Sequence, residues 1–367
     1  MQIAWAERQE VLERFLLGFE GTSLPDELAS LLSRGLAGVA IYSRNYTDLI
    51  GLRRLTDSIR QAAGRSVLIG IDQEGGSRFA LAPPFTAWPS HSELGRLGDA
   101  GLVNDVARAM ARELRAVGCN LDFAPMLDLA TNPASPVTRD RSFGQDPREV
   151  ARLGVAFLQG LAAEGVLACA KHFPGHGDTD VDPHLDLPRY AGTLDRLAEQ
   201  ELAPFTAAIE ASVPLLMTAH ILLPKIDPNL PASISQRVVR DLLRRPMGFH
   251  GVILADDLGM GAIAKHYATR ESVVKALEAG TDMVMLCHDW SAVPGAIAAV
   301  ADAAASGRFD PAEWTAGKER IARLREQIRA LEQSILQQTL PRETVGCAEH
   351  RAIAQKVRAR LQKASSP

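Results

Sequence analysis

Val166-Leu167-Ala168-Cys169-Ala170-Lys171, continuing into His172-Phe173-Pro174-Gly175-His176-Gly177-Asp178-Thr179-Asp180-Val181-Asp182-Pro183-His184, carries the architecture of the chain in one stretch. The first part is a continuous apolar run, too short for a typical helix and suited to a strand buried on both faces. The second part cannot be helical, because Pro174, Gly175 and Gly177 interrupt it, and from Asp178 to His184 only Val181 is a sizeable apolar side chain. The expectation is a surface loop at a strand's C-terminal end, where functional groups concentrate.

The same unit recurs. Short apolar runs lie at Phe15 to Phe19, Gly38 to Tyr42, Ser66 to Ile71, Asn120 to Pro125, Val166 to Lys171, Pro214 to Thr218, Gly251 to Leu254 and Met283 to Leu286. Helical periodicity fills much of the space between them, at Leu102 to Val117, Glu149 to Glu164, Asp195 to Ser212, Gln236 to Arg245, Glu271 to Ala279 and Val293 to Ala305. Nearly every apolar run ends in polar residues, among them Asp72, Asp128, His172, His220, Asp256-Asp257 and His288-Asp289. Parallel strands alternating with helices, with chemistry gathered at the strand C-termini, predict an α/β fold of the (β/α)8 TIM-barrel type. A doubly wound open sheet fits less well, since no G-x-G-x-x-G loop is present. The expected organisation is one barrel domain over residues 1–332 and a helical tail over 333–367, which packs on the barrel or mediates self-association.

Composition narrows the function. The chain has 367 residues, 46% of them hydrophobic, enough for a large core, and its net charge of -4 argues against a nucleic-acid or membrane-surface role. Its start, MQIAWAERQEVLERF, is charged and periodic, and no apolar run approaches the roughly 18 residues of a membrane span. A cytoplasmic protein is expected. The four cysteines have neither metal nor disulfide spacing and read as reduced side chains, three of them in apolar runs.

Within the loop, Pro183 pushes Asp182 toward extended backbone, so that Asp182 and His184 share a face and the carboxylate can orient the imidazole. A calcium loop is excluded, because Pro183 and Arg189 stand where Gly and Glu would be required. Zinc ligation by His172, His176 and His184 matches no standard ligand spacing. On Val252 to Met260, Asp256 ends a buried strand and is expected to project into the barrel mouth as a nucleophile, whereas Asp257 is as suited to capping the next helix. Asp256 together with a His/Asp proton carrier suggests double displacement. Asp72, Arg141, Lys171 and His172 add groups able to hydrogen-bond an uncharged, hydroxyl-rich substrate. Structural alternatives stand beside each: Asp72 as a cap, Arg141 paired with Asp140 or Asp146, Lys171 with His172 as a strand-end pair.

These residues resemble glycoside hydrolase family 3, specifically its β-N-acetylglucosaminidase branch. The resemblance runs through Gly18-Phe19-Glu20-Gly21, Ile71-Asp72-Gln73-Glu74-Gly75-Gly76, Asp122 to Asp128, Asp140-Arg141-Ser142-Phe143-Gly144, the loop from Lys171 to His184, Met217-Thr218-Ala219-His220 and Asp256-Asp257-Leu258. It implies Asp256 as the nucleophile, His184 oriented by Asp182 as the general acid/base, and Asp72, Arg141, Lys171 and His172 as contacts to a non-reducing N-acetylglucosamine. It further implies a cytoplasmic enzyme without cofactor or metal, monomeric or weakly dimeric, that trims muropeptides or other small carbohydrates during peptidoglycan recycling. A phosphorylase, a broader β-glucosidase, a metal-dependent hydrolase and a catalytically silent sugar-binding barrel are the other readings. The chain departs from the family at Ser77-Arg78 and Ala80, where basic residues are usual, and at Pro183, where Ser is usual; the expectation is that one sugar contact is either lost or supplied by Arg78.

Overall fold

The computed structural model describes residues 9–79, 81, 83–179, 181–337 and 342–364. Eight parallel strands close into a barrel in chain order: β1 (Phe15–Leu17), β2 (Gly38–Ile41), β3 (Leu68–Ile71), β4 (Leu121–Asp122), β5 (Leu167–Phe173), β6 (Leu215–Thr218), β7 (Val252–Asp257) and β8 (Met283–Leu286). Closure is made where Phe15 to Leu17 register with Val284 to Leu286. Each strand falls on one of the eight apolar runs, although β4 stops short of Pro125, which has no N–H to continue a ladder.

Alternation along the strands builds two cores. Leu16, Ala40, Leu68, Leu121, Leu215, Leu254 and Met285 fill the barrel interior, while Leu17, Val39, Ile69, Ala170, Leu216 and Ile253 face the surrounding helices. The helices include those expected, among them Ala100–Ala116, Pro147–Ala163, Thr269–Glu278 and Val293–Ala305. Two more, Asp26–Arg34 and Leu49–Ala63, supply the crossovers after β1 and β2. Asp48, Asp99 and Asp146 cap their helices with carboxylate oxygens on backbone amides, which fixes where the crossovers begin.

The helix Pro311–Gln337 runs without interruption across residues 332 and 333 and lays Ile321, Leu324 and Ile328 against the lower end of the barrel interior. Beside it, Asp282 gathers Arg244 at 2.7 Å and Arg320 at 2.8 Å. The terminal helix Ala348–Ala364 packs on helices His91–Leu97 and Ala100–Ala116. Among the described residues, no helix is long and apolar enough to cross a membrane.

Candidate active site

The strand C-termini surround a cavity of about 370 Å³, and all seven residues singled out in the sequence line it: Asp72, Arg141, Lys171, His172, Asp182, His184 and Asp256.

The first wall grows from β3. Asp72 follows the strand, and the chain then folds into a hairpin, Gln73–Gly75 with Arg78–Phe79, tied to β4 by Asp122 Oδ1, which accepts the Gln73 amide at 3.0 Å. Gly75 and Gly76 turn it with φ of 84° and 59°, and a Cβ on Gly75 would lie 2.3 Å from the Pro89 carbonyl oxygen, so the turn needs glycine. This turn sets Glu74 beneath the cavity. Its carboxylate accepts from Arg141 Nε and Nη2 at 2.8 and 2.7 Å and from Lys171 Nζ at 2.6 Å, and Lys171 Nζ also donates to Asp72 Oδ1 at 2.5 Å. Burial opposes ionisation of Glu74, but the charges of Arg141 and Lys171 overcome it and hold its pKa well below the usual carboxylate value. Burial likewise disfavours the charged form of Lys171, and Asp72 with Glu74 more than compensate, so the ammonium stays protonated. Arg141 therefore pairs with neither Asp140 nor Asp146. Asp140 takes the Ser77 amide and hydroxyl at 2.9 Å each, and Asp146 caps a helix. Asp72 is held by Lys171 and is no helix cap. The side chain of Arg78, the alternative source of the sugar contact, and Ala80 both lie outside the described residues.

The second wall is the stretch after β5. The ladder to β6 slips between Ala170 and Phe173, and consecutive Lys171 and His172 both line the cavity where a regular strand would alternate them. The expected surface loop is corrected here: residues 171–177 are buried, and exposure begins only further on, at His184 to Asp186. Asp128 makes burial possible. Its Oδ1 accepts the His176 amide at 2.7 Å and its Oδ2 accepts His172 Nδ1 at 2.7 Å, so the polar turn is satisfied internally. Desolvation, then the nearby cations of Arg141 and Lys171, push His172 well below its ordinary pKa. This shift favours the neutral ring, whose Nδ1 faces Asp128 Oδ2. Burial also lowers His176 to a pKa of about 3.

The outer part of the stretch carries the proton-transfer candidates. His184 Nδ1 contacts Asp182 Oδ1 at 2.8 Å, and the same oxygen accepts the His184 amide at 2.9 Å, as the i, i+2 spacing predicts. The imidazole remains 54% exposed and Asp182 30%. The segment docks on the chain after β7, where the Ala262 amide donates to the Pro183 carbonyl at 2.9 Å. Gly261 lies so near that a Cβ there would stand 2.4 Å from the His184 carbonyl oxygen.

Asp256 sits half-buried on β7, which extends three residues beyond the predicted Leu254. Its Oδ1 accepts the Asp257 amide at 2.8 Å. Asp257 turns the other way and does not cap a helix. It accepts the Gly259 and Cys287 amides at 2.9 and 3.2 Å and contacts His288 Nδ1 at 2.6 Å. That hydrogen bond, ahead of the charge itself, raises the pKa of His288. Glu74, Asp128, His288 and Tyr42, which also borders the cavity, had no assigned role in the sequence reading. Glu74 stands inside the quoted Asp72-to-Gly76 motif and Asp128 ends an apolar run, so position alone was their signal. Their partners lie 67 and 44 residues away.

Among the described residues, no group of three or more His, Cys, Asp or Glu side chains has a metal-holding arrangement. A rigid carboxylate at a strand end, an imidazole–carboxylate pair and a donor-rich wall facing one cavity can together attack a polarised carbon, exchange a proton and hold hydroxyl groups.

A "Beta-hexosaminidase A" of Pseudoalteromonas piscicida is 32% identical over 361 residues, covering 90% of this chain, which spans only 60% of that relative's length. A "Beta-hexosaminidase" of Alkalilimnicola ehrlichii is 37% identical over 294 residues, 78% of this chain and 84% of its own. The solved glycoside hydrolase family 3 β-N-acetylglucosaminidase from a Paenibacillus species superposes with a TM-score of 0.90 at 34% identity, over 95% of this chain and 68% of that one. Since the family profile described as the glycosyl hydrolase family 3 N terminal domain matches residues 16–324, nearly all of the barrel, the chain belongs to glycosyl hydrolase family 3.

Proposed function

We propose that this protein is a retaining exo-glycosidase that releases non-reducing terminal N-acetyl-β-D-glucosamine. The observation that carries the reading is a single cavity lined by Asp256, by the Asp182–His184 pair and by the Lys171–Asp72–Glu74–Arg141 cluster. Asp72, Arg141, Lys171 and His172 hold the sugar hydroxyls, and Glu74 keeps two of them, Lys171 and Arg141, fixed. The Asp256 carboxylate attacks the anomeric carbon while His184 Nε2 gives its proton to the departing glycosidic oxygen, Asp182 stabilising the imidazolium through Nδ1. The aglycone leaves, and the sugar is esterified to Asp256. His184 Nε2 then takes a proton from water, which attacks the same carbon and restores Asp256 with net retention.

The test uses His184→Ala with a dinitrophenyl N-acetyl-β-glucosaminide, whose leaving group needs no acid. The expected result is a mass increment of one N-acetylglucosaminyl residue on the peptide containing Asp256. An unlabelled peptide, together with an active Asp256→Ala enzyme, refutes the assignment. Following the resemblance of the loop from Lys171 to His184, we extend the proposal to peptidoglycan fragments inside the cell as the natural substrate. Release of N-acetylglucosamine from muramidase-digested peptidoglycan is the expected outcome, and turnover of aryl glycosides alone sinks the extension. Repeating the assay in phosphate distinguishes a phosphorylase, which yields the sugar 1-phosphate.

A further inference from the structure

The C-terminal helix Ala348–Ala364 stands outside the barrel, yet it closes on the segment that braces the sugar-facing hairpin. The contact is built around a buried carboxylate. Glu113, on helix Ala100–Ala116, accepts His350 Nδ1 at 2.9 Å, the Gly346 amide at 2.8 Å, the Thr86 hydroxyl at 2.7 Å and the Thr86 amide at 3.0 Å. One acid thus ties the tail to segment 83–90. The His350 ring lies 5.8 Å from the Trp88 ring, and Arg358 Nη2 donates to the Ala87 carbonyl at 2.6 Å. From that segment the path to the cavity is one further contact long. The Trp88 carbonyl accepts the Gly76 amide at 3.1 Å, and Gly75 is pressed on the Pro89 carbonyl without room for a Cβ. These two glycines are the turn that sets Glu74 against Arg141 and Lys171.

We propose that the C-terminal helix belongs to the sugar site, with His350 a positioning residue that acts through Glu113 and segment 83–90 on the hairpin that bears Glu74 and follows Asp72. The helix anchors itself by burying Ala354, Val357 and Leu361. Beside that apolar contact, a fully buried acid commits its hydrogen bonds to the tail and to Thr86, so that movement of the tail displaces the segment the glycine turn leans on. Small displacements at such supports have large effects on bound geometry, because the groups they hold must be placed within fractions of an ångström. The proposal rests on the reading that this hairpin holds the sugar.

The experiment measures Kd for N-acetylglucosamine, and KM and kcat for its aryl β-glycoside, in the full-length chain. His350→Leu is expected to raise Kd and KM about tenfold with kcat within about threefold, and His350→Asn, whose amide can replace Nδ1 as donor to Glu113, to stay within about twofold of the native enzyme on all three. A His350→Leu enzyme with native Kd and KM overturns the proposal. So does one that loses only kcat, the mark of a smaller folded fraction. If His350→Leu does not fold, Arg358→Ala, which removes only a solvent-exposed contact to Ala87, is expected to raise KM about threefold, and an unchanged KM counts against the proposal in the same way. Glu74→Gln is measured beside them. If it keeps native Kd and KM, the reading of the hairpin fails and takes the proposal with it; if it weakens binding while His350→Leu does not, the tail's role alone is refuted.

Discussion

Glu74→Gln removes one negative charge from beneath the cavity while keeping the side chain's size. In the native protein this carboxylate accepts three charge-assisted hydrogen bonds of 2.6 to 2.8 Å from two cations, and only 2% of its side chain is exposed. Removing one partner of a buried pair costs about 3–5 kcal/mol, since the remaining charge is left uncompensated. Two features place the loss toward the lower end. Asp72 still neutralises Lys171 at 2.5 Å, and the Gln carbonyl keeps one acceptor for Arg141. We expect about 3 kcal/mol at pH 7, a large part of the roughly 5–15 kcal/mol that holds a typical domain folded. The pH dependence follows from the direction of the shift. The folded pKa of Glu74 is depressed well below its ordinary 4.5, so its stabilisation is fully present above that value and is lost as pH falls through the folded pKa. The gap between native and variant proteins, measured by urea unfolding at a series of pH values, is therefore constant from neutrality down to about pH 5 and narrows below it. A variant within about 1 kcal/mol of native at pH 7, or a gap that does not close in acid, refutes this account of the cluster.

Further expectations concern the reacting groups. Asp182→Asn leaves His184 without its charge partner and is expected to lower kcat/KM about a hundredfold on poor leaving groups, and much less on a dinitrophenyl glycoside; equal losses on both substrates count against general acid catalysis by His184. Gly261→Ala adds a methyl group against the His184 carbonyl and is expected to reduce activity while leaving sugar affinity within about twofold, as read by kcat and by Kd for N-acetylglucosamine. The raised pKa of His288 means that its bond to Asp257 stabilises the fold fully below about pH 6.5 and progressively less as pH rises through the folded value. The difference in Tm between native protein and His288→Gln is accordingly greatest in mild acid, and a difference that grows toward alkaline pH contradicts the pairing.

The barrel was legible because every crossover repeats one pattern, an apolar run short enough for a strand and then a polar end. Six of the seven cavity-lining residues were legible from position, Asp72, Lys171, His172 and Asp256 at those ends and Asp182 with His184 on the loop where Pro183 fixes an i, i+2 pair, whereas Arg141 lies far beyond its strand and was marked by the family resemblance. Glu74 and Asp128 escaped, since nothing local distinguishes a buried acid that organises a site from one that caps a turn. Their work becomes visible only when β3, β4 and β5 bring Arg141, Lys171 and His172 to them. The burial of residues 171–177 was hidden for the same reason. A polar sequence predicts exposure unless its partners are known, and here Asp128 supplies them from the segment after β4.

The docking of Pro183 on Ala262 has a kinetic consequence. His184 and Asp256 ride on a common support, because the loop's main chain is fastened to the short helix Gly261–Ala264 that follows the strand bearing Asp256. The fastening uses the carbonyl of residue 183, which proline offers as well as serine does, so the unusual proline leaves the latch intact. Among the described residues, lifting His184 away breaks one main-chain hydrogen bond to this helix, worth about 1 kcal/mol net, beside the exposed contact of Asp186 with His266, and frees one otherwise buried amide. The Ala262 amide is thus a gauge of loop engagement. Its deuterium exchange should outpace that of its neighbours in the free enzyme and slow when a ligand holds the loop down, which would report each excursion of the loop without a label.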